Sequence, residues 1–399
     1  MTNETKNVPE LRFPEFSEKW SINIFGDVVT NKSSKYTPKK TEALIDIELD
    51  SIESNTGRLI KNYTSNDFSS QKNVFTQNQV LYSKLRPYLN KYYFPNFDGV
   101  CTSEIWVLDS KYSSTLSNEF LYYFIQTNKF KEVTNKSSGS KMPRADWNLV
   151  GNMRFNITSL KEQQKIGNFF SKLDCQIDLE EQKLEKLEEQ KRGYMQKIFS
   201  QEFRFKDENG NNYSEWEGTN LGNLLLEINQ KSTLNDQYLL LSSTKNGLVN
   251  QSDYFKKQIG SKDNTGYKIL RLNQMVISPQ NLWLGNINFN DQFEIGIVSP
   301  SYRIYEFNSK VTFQFLKYLL KTSRYIYEYG QASEQGASVV RRNLNLDLFY
   351  EIKVNLPKLV EQEKIGNFFK KIDKSIDKQF NKVELLKERK KGFLQKMFV

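Results

Sequence analysis

The chain has no histidine in 399 residues. This removes Ser–His and Cys–His nucleophilic chemistry, and His-ligated metal sites with them. Cysteine is nearly as scarce. Cys101 and Cys175 are the whole complement, too few for a disulfide framework, so both read as reduced, non-structural thiols. No run approaches the roughly 18 consecutive apolar residues of a membrane span. The opening MTNETKNVPE lacks the apolar core of a secretory signal, so a cytoplasmic location is expected. A Gly-x-x-x-x-Gly-Lys-Ser/Thr phosphate loop is absent, as is a Gly-x-Gly-x-x-Gly following a strand. The Asn/Asp-Pro-Pro-Tyr/Phe tetrapeptides of amino-methyltransferases are missing too. Cys101 without a histidine reads as a buried strand cysteine, and the chain is not expected to be an enzyme by itself.

The composition that remains is that of a folded protein. Aromatic residues make up 14% and hydrophobic residues 38%, beyond what a disordered chain carries. The net charge of +10 favours an anionic partner. The excess is spread along the chain, with no basic tail.

The strongest signal is a repeat. EQQKIGNFF (Glu162 to Phe170) returns as EQEKIGNFF (Glu361 to Phe369), and the echo runs without a gap to Phe199 and Phe398, with 21 of 38 positions identical. Ile166, Phe169, Leu173, Ile177, Leu184, Leu187, Tyr194 and Ile198 recur at steps of three, four or their sums. So do Ile365, Phe368, Ile372, Ile376, Phe380, Val383, Leu386, Phe393 and Met397. Each series is the seam of an amphipathic helix. Each helix is roughly 60 Å long at 1.5 Å per residue, and such a length predicts a partner seam, as in a coiled coil. Ser159 and Glu162 have the spacing of a capping box, and Pro357 stands where the second helix should begin. Gly167 and Gly193 in the first helix are repeated as Gly366 and Gly392, although glycine weakens a helix interior by up to about 1 kcal/mol. In an antiparallel pair centred near Glu180 and Gln379, Gly167 would face Gly392 and Gly193 would face Gly366, allowing close approach of the two helices.

The repeat extends into the flanking regions. Arg12-Phe13 and Trp20 precede Gly26 as Arg204-Phe205 and Trp216 precede Gly222. TQNQVLYSKL (Thr76 to Leu85) aligns with RLNQMVISPQN (Arg271 to Asn281), and FLYYFIQT (Phe120 to Thr127) with FLKYLLKT (Phe315 to Thr322). The expected organisation is a lead-in segment at 1–20, a first domain at 21–158 and a central helix at 159–200. A second lead-in and domain follow at 201–357, with a final helix at 358–399. The fold class is α+β: two α+β domains separated by two long antiparallel helices, a tandem duplication with pseudo-two-fold symmetry. An antiparallel pair also brings the chain's end to its beginning, so that residues 10–20 follow the second helix in space as 202–216 follow the first in sequence.

A duplicated, basic protein suits a duplex partner whose two recognition points lie about 34 Å or more apart. Candidate base-edge or phosphate contacts are Arg, Lys, Asn, Gln and Ser in polar loops. In the first domain these are Lys84, Arg86, Lys91, Lys136, Ser138, Lys141 and Arg144. In the second they are Lys245, Asn246, Gln280, Asn281, Gln335, Ser338, Arg341 and Arg342. Gly139 and Arg144 align with Gly336 and Arg341, which raises those two arginines above the rest. For helix-pair packing the candidates are Ile166, Gly167, Leu173, Ile177, Leu184, Leu187 and Gly193 on the first helix. On the second they are Ile365, Gly366, Ile372, Ile376, Val383, Leu386 and Gly392.

Across essentially its whole length the chain resembles the specificity subunit of a type I restriction–modification system. The resemblance rests on Leu-x-Glu-Gln-x-Lys-Ile at Leu160 to Ile166 and Leu359 to Ile365, the Arg-Phe…Trp…Gly lead-ins, and the Gln-Lys-Ile-Phe and Gln-Lys-Met-Phe helix ends. It implies two target recognition domains, each reading half of a split site in double-stranded DNA. The helices would be the spacer and the docking surface for two methyltransferase subunits, joined by two restriction/translocase subunits. S-adenosylmethionine, ATP and Mg2+ would belong to those partners, with no cofactor and no metal in this chain. A different class of reading is a coiled-coil scaffold whose end domains bind proteins and show no sequence-specific DNA binding.

Overall fold

The structure is a computed structural model of the chain, and it describes residues 7–136, 141–245, 247–254, 263–338 and 341–399, with only the backbone of 335–338 and 341. The chain divides into two compact units, one formed by 1–181 with 381–399 and the other by 182–380.

In the first unit, strand Ser21–Ile24 pairs antiparallel with Arg154–Ile157, closing the domain where it begins and ends. A four-stranded sheet runs in the order Val29–Thr30, Ile105–Ser110, Val80–Ser83, Tyr92–Tyr93. A five-stranded sheet takes Lys35–Tyr36, Lys72–Phe75, Gly99–Thr102, Ile45–Ile47 and Tyr63–Thr64 in that order. All four residues of Val80–Ser83 are buried, which is why VLYS reads as a continuous apolar run rather than an alternating one. The short helix Asn118–Phe124 starts where the Ser117 side chain accepts a hydrogen bond from Phe120 N–H, an N-cap that satisfies an otherwise orphaned donor.

The second unit repeats this plan. Glu217–Asn220 pairs with Lys353–Leu356. Its four-stranded sheet runs Leu225–Ile228, Arg303–Phe307, Met275–Ile277, Ile287–Phe289, and Thr312 caps the helix Phe313–Leu319 as Ser117 caps its counterpart. Among the described residues two hairpins occur in this unit alone, Leu241–Thr244 with Gly247–Asn250 and Ser333–Ser338 with Arg341–Leu344.

The long helices span Leu160–Phe199 and Leu359–Lys396. The first turn of each is fixed by the repeated Glu-Gln. Arg12 Nε and Nη2 fork onto the Glu162 carboxylate, both at 2.7 Å, and Glu162 is fully buried. Arg204 meets Glu361 at 2.9 and 3.3 Å. The expected capping box is therefore only half formed. Ser159 Oγ accepts from Glu162 N–H at 3.5 Å, but the Glu162 carboxylate is turned to Arg12 and the Thr158 hydroxyl. A bidentate guanidinium outcompetes one backbone N–H for a buried carboxylate. The next residue ties the domain down. Gln163 donates to Thr115 O and Thr158 O at 2.8 and 2.7 Å and accepts from Ser117 N–H at 2.8 Å. Gln362 makes the same set with Lys310 O, Pro357 O and Thr312 N–H.

Within each unit the helices run antiparallel. In the first, Asp174 meets Lys390 at 2.6 Å, Glu181 meets Lys387 at 2.9 Å, and Glu180 pairs with Lys382. In the second, Lys191 meets Asp373 at 2.6 Å and Tyr194 stacks edge-on against Phe368. The chain's end returns to its beginning as expected. Leu11 N–H donates to Lys396 O at 2.9 Å, and Phe398 packs on Trp20 and Phe120. Phe203 N–H on Lys197 O and Trp216 on Phe315 are the counterparts in the second unit.

The seam departs from expectation. Leu173, Ile177 and Leu386 form a small buried cluster between the helices, Val383 is buried, and Leu184, Leu187 and Ile376 are half-buried. Ile166 and Ile365, however, belong to the cores of the two domains, and Ile372 packs against the second, because the first turns of each long helix lie under the domain's short helix. The glycines are corrected likewise. A Cβ on Gly167 would lie 2.8 Å from the Glu119 side chain, and one on Gly366 would lie 2.7 Å from Gln314 Cβ. Both glycines admit the domain's short helix, whereas Gly193 and Gly392 have nothing within 4 Å of such a carbon.

This separates the four glycines experimentally. Gly366→Ala forces backbone and side chain apart and should cost about 1–3 kcal/mol. Gly193→Ala, exposed in mid-helix, should gain up to about 1 kcal/mol. Urea denaturation of the two variants measures both; equal effects would refute the assignment.

Candidate nucleic-acid interface

In the first unit the polar loop that follows Val80–Ser83 is sewn between two neighbours. Lys84 N–H donates to Glu104 O at 3.0 Å, Ala145 N–H to Lys84 O at 2.8 Å, and Arg86 N–H to Pro143 O at 2.8 Å. Leu85 and Arg144 form a bridge. Two segments more than fifty residues apart in sequence, 84–86 and 141–144, are thus one surface. Arg86 sits in the left-handed region at φ +52, before the single turn Pro87–Leu89 that Asn90 ends at φ +46. A non-glycine residue there costs about 1–2 kcal/mol, held by the Pro143 bond, and the arginine is presented outward beside exposed Tyr88. Lys136 and Lys141 are exposed and Lys84 is half-buried.

Two candidates are engaged elsewhere. Lys91 Nζ donates to Leu49 O at 2.6 Å and so pins one loop to another. The Arg144 guanidinium forks onto Glu104 at 2.9 and 3.2 Å, and that hydrogen bonding raises its pKa. Ser138 and Gly139 lie outside the described residues.

The second unit builds the corresponding surface differently. The loop after Met275–Ile277 winds into the turn Pro279–Leu284, closed by Gly285 at φ +84. Gln280 is exposed, while Asn281 Nδ2 is turned inward to Ser278 Oγ at 3.3 Å. Against this turn lies the hairpin 333–344, with Gln335 opposite Arg342 and Ser338 opposite Arg341. The guanidinium of Arg342 lies over the Trp283 ring, 4.5 Å from its centre, and donates to Gly330 O at 3.4 Å. Gln335, Ser338 and Arg341 are placed by backbone alone, Lys245 is exposed near the tip of its hairpin, and Asn246 lies outside the described residues. Tyr88 and Trp283 were not singled out from sequence. Both sit within the loops chosen for their cations and amides, and an aromatic beside a basic residue was the available signal.

No group of His, Cys, Asp and Glu able to hold a metal occurs among the described residues, nor is any described helix long and apolar enough to cross a membrane. Cys101 is fully buried on its strand, and burial pushes its thiol pKa up, out of nucleophilic range.

Comparison with known proteins shows what the chain is similar to. Residues 17–189 are similar to the family model described as the type I restriction modification DNA specificity domain. It is 26% identical to the EcoDI specificity subunit of Escherichia coli over 51% of this chain and 45% of that one, so the match spans about half the length of each. It is 23% identical to the MjaVIII specificity subunit of Methanocaldococcus jannaschii over 73% of this chain and 72% of that one. The S subunit from M. genitalium has the same fold, with a TM-score of 0.55 at 17% identity over 98% and 99% of the two chains. A structure from a study of type I R-M complex assembly and conformational transition aligns at 0.55 and 16% identity, over 94% and 96%.

Elsewhere in the second unit, Lys321 donates to Asn288 Oδ1 at 3.3 Å. Burial, then the charges of Lys317 and Lys191, lower its pKa from 10.5 to about 8. Between these two pH values the unfolded chain holds a proton that the folded one has released, so stability rises with pH there. The gain should reach up to about 3 kcal/mol, and Lys321→Met should flatten it; denaturant titrations from pH 7.5 to 10.5 test this.

Proposed function

We propose that the chain is a non-catalytic DNA-recognition subunit of a type I restriction–modification complex, each globular domain reading one half of a split site. The observation that carries this is the duplicated surface. In each unit the loop after one four-stranded-sheet strand meets a second polar segment from far along the chain, and the two surfaces carry different side chains on one scaffold. Arg86, Lys84, Lys141, Lys136, Gln280, Lys245 and Arg342 are the contacts we favour, with Tyr88 and Trp283 as apolar neighbours. The long helices would set the gap between half-sites and dock two methyltransferase subunits. Two restriction/translocase subunits would complete the assembly, with S-adenosylmethionine, ATP and Mg2+ on those partners. Leu179 and Leu385, 60% and 48% exposed on the helices of the first unit, suit such docking.

The test is mapping of methylated adenines genome-wide in cells with and without the gene. A split motif that disappears on deletion supports the reading, and its persistence would sink it. Repeating the map with one helical turn inserted near Glu180 should return both half-sites with an altered gap.

At residue level, Arg86→Ala should weaken DNA binding by about 1–3 kcal/mol in the methyltransferase-bound complex. Lys91→Met should leave the salt dependence of binding unchanged and lower stability instead. Binding isotherms at several salt concentrations, paired with melts, distinguish the two; the opposite pattern would reverse the assignment.

A further inference from the structure

We propose that a cavity in the first unit, between its short helices and its helix pair, binds a phosphate group, and that the second unit holds a counterpart. The first cavity has a volume of about 830 Å³, the size of a nucleotide site. One wall is aromatic, with Tyr92, Tyr122 and Tyr123, and another is cationic, with Lys131, Lys390 and Lys391. The carboxylates that line it are already matched. Asp178 and Glu181 take Arg58, Glu181 also takes Lys387, and Asp174 takes Lys390 at 2.6 Å together with the Tyr123 hydroxyl at 3.2 Å.

Two ammonium groups are left over. The ammonium groups of Lys131 and Lys391 have no hydrogen bond or ion pair among the described residues. Lys131 is half-buried, and burial followed by the charges of Lys391 and Lys390 lowers its pKa. Ammonium groups held together without a counter-charge form a site that a phosphate stabilises, each lysine acting as a point charge on a different oxygen.

The second unit repeats the wall. Around a cavity of about 790 Å³, the Tyr318 hydroxyl donates to Asp373 at 2.7 Å and Lys191 meets Asp373 at 2.6 Å. Asp373 and Lys191 stand 199 residues from Asp174 and Lys390, so the Tyr–Asp–Lys wall is a duplicated feature. A surplus ammonium occurs again but from a different place. Lys321 aligns with Gln126, not Lys131, and among the described residues its ammonium bonds only the neutral amide of Asn288. Glu188, Asp377, Arg192, Lys370 and Lys374 also line this cavity.

The phosphate could be free, as inorganic phosphate or a nucleotide, or part of a DNA backbone; the second case rests on the DNA-recognition reading. The full chain is titrated calorimetrically at low salt with inorganic phosphate and with AMP, and its DNA affinity is measured against salt concentration in the methyltransferase-bound complex. Wild type is compared with the Lys131→Gln, Lys391→Gln double variant. A free-phosphate site predicts heat of binding to wild type and at least a tenfold loss in the variant. A backbone site predicts no such heat, but a salt slope shallower by about 1–2 in the variant. Identical behaviour of the two proteins in both assays overturns the proposal. If both still bind DNA sequence-selectively, the recognition reading survives that failure. If wild type shows no sequence selectivity, that reading fails and the phosphate and AMP titrations alone decide this one. Removing an unpaired cation should not lower the melting temperature; should the double variant fail to fold, the exposed Lys391→Gln alone is used.

Discussion

The structure depends on a buried carboxylate at the first turn of each long helix. Glu162 and Glu361 are wholly withdrawn from water and tolerable there only because Arg12 and Arg204 reach them. Such a pair adds little net stability over an apolar substitute, yet stranding one partner costs about 3–5 kcal/mol. Its effect is therefore on arrangement more than on total stability. Any packing of lead-in, helix and domain that separates the pair is excluded by several kilocalories. The neighbouring glutamine extends the constraint, since all of its bonds go to the loop before the domain's short helix and to the residues just ahead of the long one. Lead-in, helix and domain consequently meet at one point in each unit.

With that junction fixed, the rest of each domain is free to differ. The four-stranded sheets have the same strand order in both units. Around them the first unit places a buried Lys72 between Asp46 and Glu48. The second places an amide and hydroxyl network of Ser243, Asn286 and Asn288. These are two solutions to holding polar groups inside a sheet domain, and they support different loops above. The arrangement suits a protein whose two halves must be held alike and read differently.

The repeat, the long helices and the strand that feeds the candidate loop were legible in the sequence because periodicity and identity are local or fixed-offset signals. What each side chain meets was not. The glycines looked like a pair of helix–helix contacts because their offset was constant, but Gly167 and Gly366 owe their smallness to Glu119 and Gln314, which no spacing within the helix reveals. Lys91 and Arg144 looked like free cations for the same reason. Their partners, Leu49 and Glu104, lie 42 and 40 residues away and come close only once the sheets are formed. Arg86 was chosen as a cation; its left-handed backbone, which aims it, is held by the bond to Pro143.

The helix pair completes the picture by what it leaves unburied. A coiled coil of this length would bury an apolar residue at nearly every step of its seam. In the first unit the buried cluster is Leu173, Ile177 and Leu386, with Phe393 packed against it and Val383 buried as well. Beyond it the helices are matched by charge, with Glu180 on Lys382 and Glu181 on Lys387 and Arg58. Exposed ion pairs of this kind contribute at most about 1 kcal/mol each; they set register better than they hold helices together. Leu179 and Leu385 remain on the outside of the same stretch. A pair aligned by charge, with apolar side chains still facing water, gains most from a partner that covers them, and this is the physical basis for proposing the helices as the docking surface and the loops as the DNA contacts.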